Sequence, residues 1–227
     1  MATDTDRRAR RGRLSKAGVL KAAVALADEA GIDSLTMRGI GQRLGVEAMS
    51  LYRHVENKED LLDGMIDVVW GEIELPARGE GWKAAMCRRA IAVRAALARH
   101  PWAIGLMESR LTPGPQNLRH RDSVLEVLLG AGFSGRTATH AYNLLDSYIY
   151  GFAVQETNLP FGSAEELAAV GEEMLRQMPT DEYPNLARVA GELLESGFDY
   201  ADEFEFGLDL ILDALERFYR ESTHAAG

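Results

Sequence analysis

The sequence predicts an all-α fold with a small N-terminal domain and a larger C-terminal domain. Apolar residues recur at three- and four-residue spacing along most of the 227 residues, which is the period of an amphipathic helix. No run of alternating apolar and polar residues is long enough to predict a strand. Gly and Pro cluster between the helical segments, as in residues 112–115 and 130–132, where they indicate turns.

The first predicted helices also have residues that are typical of helix ends. Ser15, Thr36 and Asn57 carry side chains that cap helix N-termini, and Asp60 follows Asn57 as in a capping box. Gly45 lacks the Cβ that opposes a left-handed backbone at a helix C-terminus. The sequence predicts helices over residues 15–30, 37–44, 47–53, 58–75, 82–99, 101–107, 116–129, 136–157, 164–177, 184–194 and 200–219.

Composition excludes several classes of protein. The single cysteine, Cys87, excludes an internal disulfide framework and fits a reducing, cytoplasmic compartment. No apolar run approaches the ~18 residues of a membrane span, so we expect no membrane association. The sequence contains no His, Cys or acidic residues at metal-ligand spacing. It also contains no phosphate-binding glycine loop and no nucleophile motif. We therefore expect no metal, no cofactor and no catalytic residue.

Charge is distributed unevenly along the chain. The net charge is −10, yet residues 7–58 contain eleven Lys or Arg against five Asp or Glu, a local charge of +6, so the remaining residues carry −16. A basic end on an acidic body suits a protein that binds a polyanion at that end alone. Residues 1–13 hold five arginines and are predicted to be a basic flexible arm. This arm either contacts phosphates or a minor groove, or is an ordinary tail.

Two short helices that meet at Gly45 predict a helix-turn-helix. Within residues 35–55, Ile40 and Leu51 are placed to bury between the helices, which would fix their crossing. The second helix of such a motif enters the major groove of DNA. We therefore predict that residues 14–76 form a DNA-binding domain with a connecting helix, and that its partner is double-stranded DNA.

Outward-facing side chains of this motif are candidate DNA contacts. Arg38 is the candidate for a bidentate guanine contact, Glu47 can accept from cytosine N4, and Ala48 and Met49 can contact a thymine methyl group. Hydroxyl, phenol, imidazole and ammonium groups suit phosphates. The predicted DNA-binding residues are Thr36, Arg38, Glu47, Ala48, Met49, Ser50, Tyr52, Arg53, His54 and Lys58.

The same segment resembles a known family. The residues that carry the resemblance are Leu35-Thr36-Met37-Arg38, Gly45-Val46, Leu51-Tyr52-Arg53-His54-Val55 and Asn57-Lys58-Glu59-Asp60-Leu61-Leu62. They are similar to the N-terminal domain of the TetR family of transcriptional regulators. The resemblance is close over about residues 14–70. It implies three DNA-binding helices joined by a fourth helix to a helical ligand-binding and dimerisation domain, here residues 77–227.

The C-terminal half resembles, more weakly, the effector domain of the family's tetracycline repressors. This resemblance implies a small-molecule effector and a pocket of Trp82, Met86, Arg89, Val93, Met107, Thr112, Tyr142, Asn143 and Asp146. Where those repressors hold a drug–magnesium chelate through a histidine, this sequence has Met107 or Glu108, and their pocket acid falls at Gln155, beside Glu156. We therefore expect an apolar pocket with few polar groups and no metal.

Helical spacing also places several polar residues on one face of the helix predicted over residues 136–157, and this face either lines the pocket or packs in the core or dimer seam. Its members are Thr139, Tyr142, Asn143, Asp146 and Tyr150.

Two late helices predict self-association. Residues 136–157 and 200–219 carry apolar side chains on more than one side, which indicates burial on both faces. Pairing these helices with their copies gives a homodimer suited to a palindromic operator. The sequence thus predicts a ligand-responsive transcriptional repressor. Two alternatives stay open: a helical enzyme with an appended DNA-binding domain, and a family member that has lost DNA binding and acts through protein contacts.

Overall fold

A computed structural model describes residues 14–76, 79–107, 109–110 and 112–224 of the chain. Within these residues every regular element is a helix, which confirms the predicted fold class. The predicted basic arm, residues 1–13, lies outside the described residues, and so does Glu108. The α-helices are α1 Lys16–Ala30, α2 Met37–Leu44, α3 Ala48–Leu51, α4 Lys58–Glu72, α5 Trp82–Arg99, α6 Ile104–Met107, α7 Pro115–Gly130, α8 Gly135–Thr157, α9 Ala164–Gln177, α10 Pro184–Ser196 and α11 Tyr200–His224.

Several helices differ in length from their predictions. The helix α3 ends at Leu51, and residues 52–54 form a turn. The helix α4 ends at Glu72 because Ile73 takes an extended conformation, whereas the prediction carried the helix to residue 75. The predicted helix over residues 101–107 begins as a 3₁₀ turn, Pro101–Ala103, before α6.

Side-chain caps fix the N-termini of the first helices. Ser15, Thr36 and Asn57 each accept the backbone N–H three residues on, at 3.1, 3.1 and 2.9 Å. A cap of this kind contributes about 1 kcal/mol. The expected capping box is altered, because the Asp60 carboxylate accepts the N–H of Glu56 at 2.9 Å. The backbone is therefore fixed one residue before the cap as well.

The chain divides into two compact units, residues 1–143 and 144–227. The predicted domain boundary between residues 76 and 77 falls within the first of these units, and it stays a prediction. In the first unit, α1 to α4 share one buried core, and α4 also packs along α7, which in turn contacts α5. The buried residues of the first core include Val19, Ala23, Leu35, Ile40, Leu51, Val55, Leu61 and Met65.

The second unit is held by an aromatic cluster between the end of α8 and α11. The Tyr148 hydroxyl donates to the backbone oxygen of Phe204 at 3.0 Å, and the two rings stack with centroids 5.4 Å apart. The Phe152 ring lies 5.1 Å from the rings of both Phe204 and Tyr200. A Cβ at Gly207 would overlap the Tyr148 hydroxyl, so glycine is required for this close approach.

Candidate nucleic-acid interface and effector site

The turn between α2 and α3 depends on two glycines. Gly45 follows α2 with φ 67°, in the left-handed region that favours glycine. At Gly41 an added Cβ would lie 2.8 Å from the carbonyl oxygen of Val46 and 3.2 Å from the N atom of Ala48. The sequence analysis identified Gly45 but missed Gly41, because its role depends on the approach of the next helix and not on its own backbone conformation.

The inner faces of these helices are sealed. Ile40 and Leu51 are fully buried and Val55 is 1% exposed. Gly64 on α4 lies against the Leu20 side chain, so a Cβ there would collide with α1. Burial of a Leu or Ile side chain contributes roughly 1.5–3 kcal/mol. These contacts fix the positions of the outward-facing residues.

The predicted DNA-binding residues lie at the surface of this part of the first unit. Met49 is 75% exposed and Tyr52 is 46% exposed, although both are large apolar or aromatic side chains. The exposed members of the set are Thr36, Arg38, Glu47, Met49, Tyr52, Arg53 and Lys58, and the half-buried members are Ala48, Ser50 and His54. Thr36 also caps α2 through its hydroxyl, so that oxygen already has one partner.

Ion pairing separates the basic residues into two groups. The Arg43 guanidinium bonds both carboxylate oxygens of Glu29, at 2.7 Å each, and these bonds lower the pKa of Glu29. The Lys16 ammonium lies 2.8 Å from Asp60. Within the part of the chain that the structure describes, Arg38, Arg53 and Lys58 have no ion pair. Their side chains are therefore available for an anionic partner.

A buried histidine contacts both α1 and the C-terminal end of α4. His100 follows α5 and is 5% exposed; its Nδ1 lies 2.8 Å from Asp28 on α1, and its Nε2 lies 3.0 Å from Glu72 on α4. The Trp102 indole donates to the same Asp28 oxygen at 2.7 Å. Burial alone would raise the pKa of Glu72, but the hydrogen bonds and charges of His100 and Arg99 lower it.

Two further contacts join α4 to the segment before α7. Arg110 pairs with Glu59 at 2.7 Å and with Asp63, and the Asp67 carboxylate accepts the N–H groups of Gln116 and Asn117 at 2.8 and 3.2 Å. Asp67 therefore supplies the N-terminal cap of α7 from another helix. The sequence analysis missed both contacts and the His100 link, because partners 28 to 72 residues apart leave no local pattern.

Most predicted effector-site residues of the first unit lie in its interior. Met86, Arg89, Val93, Met107 and Tyr142 are all buried. Trp82 is half-buried, and its ring meets that of Phe133 at 5.0 Å. Thr112 and Asn143 are exposed, and Asp146 is buried in the second unit. The assignment of these nine residues to an effector pocket stays a prediction.

Charged groups surround the Tyr142 ring. The Arg89 guanidinium carbon lies 5.1 Å from the ring centroid and that of Arg121 lies 5.6 Å from it. Both distances are within the range of a cation–π interaction. The sequence analysis identified Arg89 and Tyr142 but missed Arg121, together with the buried His120 beside it. Nothing in their spacing signals that these groups meet.

Two kinds of feature are absent from the described residues. Among them, no group of three or more His, Cys, Asp or Glu side chains is arranged to hold a metal ion. Of the helices in the same residues, none combines the length and the hydropathy that a bilayer crossing requires.

A helix-turn-helix with unpaired basic side chains, followed by further helices, defines a class of DNA-binding regulators. Two family models match the chain: "Bacterial regulatory proteins, tetR family" over residues 19–65, and "Tetracyclin repressor-like, C-terminal domain" over residues 75–219. The chain belongs to the TetR family of transcriptional regulators.

Individual relatives agree with this assignment. The HTH-type transcriptional repressor DrrR1 of Streptomyces coeruleorubidus is 35% identical, over 94% of this chain and 82% of the relative. The class D tetracycline repressor protein of Escherichia coli is 28% identical, over 90% of each chain. The crystal structure of the Streptomyces coelicolor TetR family protein ActR in complex with actinorhodin aligns with a TM-score of 0.77 at 25% identity, over 92% of this chain and 99% of that chain.

Proposed function

We propose that this TetR-family regulator is a repressor that binds a palindromic operator as a homodimer and is switched by a small molecule. The observation that carries the proposal is the surface of α2, α3 and the start of α4. Its exposed cations Arg38, Arg53 and Lys58 have no ion pair among the described residues, while its inner face is sealed. Relatives named as repressors support the direction of control.

The DNA contacts are assigned by chemistry and exposure. Arg38 reads a guanine, and Glu47, Ala48 and Met49 read bases from α3. Lys58 begins α4, where the ammonium group and the helix N-terminus both favour a phosphate. The other polar members of the predicted set contact the phosphate backbone of the DNA, and they are Thr36, Ser50, Tyr52, Arg53 and His54.

A second copy of the chain covers the apolar side chains that the second unit exposes. On α11, Phe206, Leu210 and Phe218 are 63, 55 and 49% exposed, and on the same unit's part of α8, Leu144 and Val154 are 45 and 47% exposed. Exposed apolar surface of this kind marks an interaction site. A two-fold dimer would place two α3 helices in successive major grooves about 34–36 Å apart.

The effector acts through α4. This helix shares the core of the DNA-binding helices at its start and packs along α7 towards its end. A ligand that binds one dimer geometry more tightly than another shifts the population between them. A coupling free energy of ~1–3 kcal/mol is enough for a useful switch. The complex of ActR with actinorhodin supports a small organic effector for this family member as well.

Footprinting tests the proposal. The DNA region upstream of the protein's own coding sequence is digested with and without the protein at low ionic strength, and a panel of metabolites is then added. We expect a two-fold symmetric protected site that one metabolite class removes. The matched control is the double variant Arg38→Ala/Lys58→Ala, which should need at least about tenfold more protein for the same protection. Absence of protection on every duplex, with and without metabolites, contradicts the proposal.

A further inference from the structure

Two touching side chains between α4 and α7 hold buried polar atoms without a hydrogen-bond partner in the described part of the chain. His120 on α7 is fully buried, and neither ring nitrogen has a partner. Trp70 on α4 is 1% exposed, and its Nε1 has none. The two ring centroids are 4.7 Å apart. Buried polar groups are almost always satisfied, so three such atoms at one contact require an explanation.

The charge state of His120 limits the kinds of ligand group that it can bind. Burial lowers the pKa of His120 to about 3, and the positive charges of Arg89 and Arg121 lower it further in the same direction. The imidazole is therefore neutral near pH 7 and offers one N–H donor and one lone pair. It cannot form an ion pair with a carboxylate. The two ring nitrogens point away from each other, so a hydroxyl bonds one of them, either as donor to the lone pair or as acceptor from the N–H.

Trp70 adds a second donor on another helix. Its indole N–H can only donate, so the partner must also accept, as a hydroxyl oxygen does. Three other members of the predicted pocket in this unit, Met86, Val93 and Met107, are buried and apolar. The combination of aromatic rings, apolar side chains and a few convergent polar atoms is typical of a small-molecule site.

We propose that His120 and Trp70 form the polar end of the effector site, and that the effector presents a hydroxyl group on an aromatic frame. This inference rests on the proposed function, because it names the ligand chemistry of that same switch. Trp70 belongs to the helix that carries the DNA-binding core, whereas His120 belongs to α7. A hydroxyl that bonds both would favour one arrangement of α4 and α7 over another.

Replacing His120 should change the Tm in opposite directions, depending on whether the histidine binds a ligand or stabilises the fold. His120→Phe keeps a flat ring and removes both unsatisfied nitrogens. If the nitrogens serve a ligand, the ligand-free variant should have a Tm about 2–4 °C higher than the wild type. A histidine that holds the fold would lower the Tm instead. His120→Gln retains a donor and an acceptor, and it replaces the phenylalanine variant if that one does not fold.

Phenol and toluene are matched probes for the hydroxyl. Each is titrated into full-length ¹⁵N-histidine-labelled protein while the His120 ring nitrogens are followed by NMR and the Kd by calorimetry. We expect the wild type to bind phenol about tenfold more tightly than toluene, with the His120 nitrogen shifts moving only for phenol. His120→Phe should bind both equally, and His120→Gln should keep part of the preference.

Equal binding of phenol and toluene by the wild type overturns the inference, and that result is also expected if a buried water alone satisfies the nitrogens. A phenol preference that survives His120→Phe overturns it too. These titrations contain no DNA, so they do not depend on operator binding. If a metabolite releases the footprint equally well from the wild type and from His120→Phe, this inference fails while the proposed function stands. If no footprint forms, the proposed function fails alone.

Discussion

The DNA-binding region and the second unit differ in how many large apolar side chains they expose. Among residues 14–72, all of which the structure describes, the large hydrophobic side chains that are well exposed are Met49 and Tyr52, both at α3. The second unit exposes many along α8 to α11: Leu144, Val154, Val170, Met174, Tyr183, Leu186, Val189, Leu193, Phe206, Leu210 and Phe218.

This difference in exposed surface indicates which kind of partner each region binds. The DNA-binding region completes its own core within one chain, so its surface is free to hold polar and charged groups for a polyanion. The second unit leaves apolar surface that one chain does not cover, and such surface marks an interaction site. Five experiments test the comparison, and they are ordered from the largest expected effect to the smallest.

Breaking the apolar face of α11 should separate the dimer. Phe206→Asp combined with Leu210→Asp places two charges where the second copy would pack, and a buried unpaired charge is strongly unfavourable. Light scattering should give twice 25.0 kDa for the wild type and 25.0 kDa for the variant. Phe206→Leu with Leu210→Met is the matched control and should remain dimeric. A wild type that is monomeric at micromolar concentration would refute the proposed assembly.

Substitution of two residues of α3 should change the free energy of unfolding by very different amounts. Leu51→Ala removes a fully buried side chain and should lower the free energy of unfolding by about 2–5 kcal/mol. Met49→Ala changes a side chain that is 75% exposed, and its effect on stability should stay within about 0.5 kcal/mol. Urea denaturation measures both. Equal losses would mean that α3 does not present the two faces described.

Loss of the buried histidine link should loosen the region where α1 and α4 meet. His100→Ala leaves Asp28 and Glu72 without their shared partner and should cost about 1–3 kcal/mol of unfolding free energy near pH 7. The pKa of Glu72 is lowered in the folded state, so its contribution is complete above the unfolded value of 4.5 and is lost as the pH falls through the folded value. The difference between wild type and variant should therefore shrink from pH 5.5 to 3.5.

The measurement is urea denaturation across that pH range. His140→Ala is the control, because His140 is exposed on α8. A difference that grows on acidification would exclude the role given to Glu72.

Arg38 and Arg43 form a matched pair on α2. Arg38→Ala should cost about 1–3 kcal/mol of binding free energy at one base position. Arg43→Ala should change operator affinity little, because its guanidinium is already bonded to Glu29. Binding to a panel of operators with single base changes measures both. A loss that is uniform across the panel would assign Arg38 to the phosphates.

The smallest effect is expected at the start of α4. Lys58→Ala removes one phosphate contact, so the slope of log affinity against log salt should flatten by about one unit with no change in sequence preference. Lys21→Ala, on α1, is the control for a general change in net charge. A change in base preference on loss of Lys58 would argue against a phosphate role.

Much of the DNA-binding region was predictable because its determinants are local. Ser15, Thr36 and Asn57 cap the backbone three residues away, and Gly45 takes the left-handed conformation that its position at the helix end requires. Caps and turns act over a few residues and leave a pattern in the sequence. The extent of α3 was less predictable, since a helix of four residues is too short for its apolar spacing to define its ends, and only Leu51 of the four is buried in the core.

The interior of the first unit was predictable only in part. Family resemblance indicated Arg89 and Tyr142, but the approach of Arg121 to the same ring and the contact of His120 with Trp70 join separate helices. A periodic pattern indicates which face is buried and not which residue lies opposite. For the same reason the pairing of Arg43 with Glu29 could not be predicted, although both residues contribute to the charge counted over residues 7–58.

The sequence by itself determined the helical fold, the helix-turn-helix and the family, because helix periodicity, caps and a glycine turn are encoded within a few residues. The tertiary structure alone decided which basic side chains form ion pairs within the chain. It also decided where Asp28, His100 and Glu72 meet, and which polar atoms are buried without partners. Those outcomes depend on side chains that come together from distant segments, and their burial and spacing are fixed only when the helices pack.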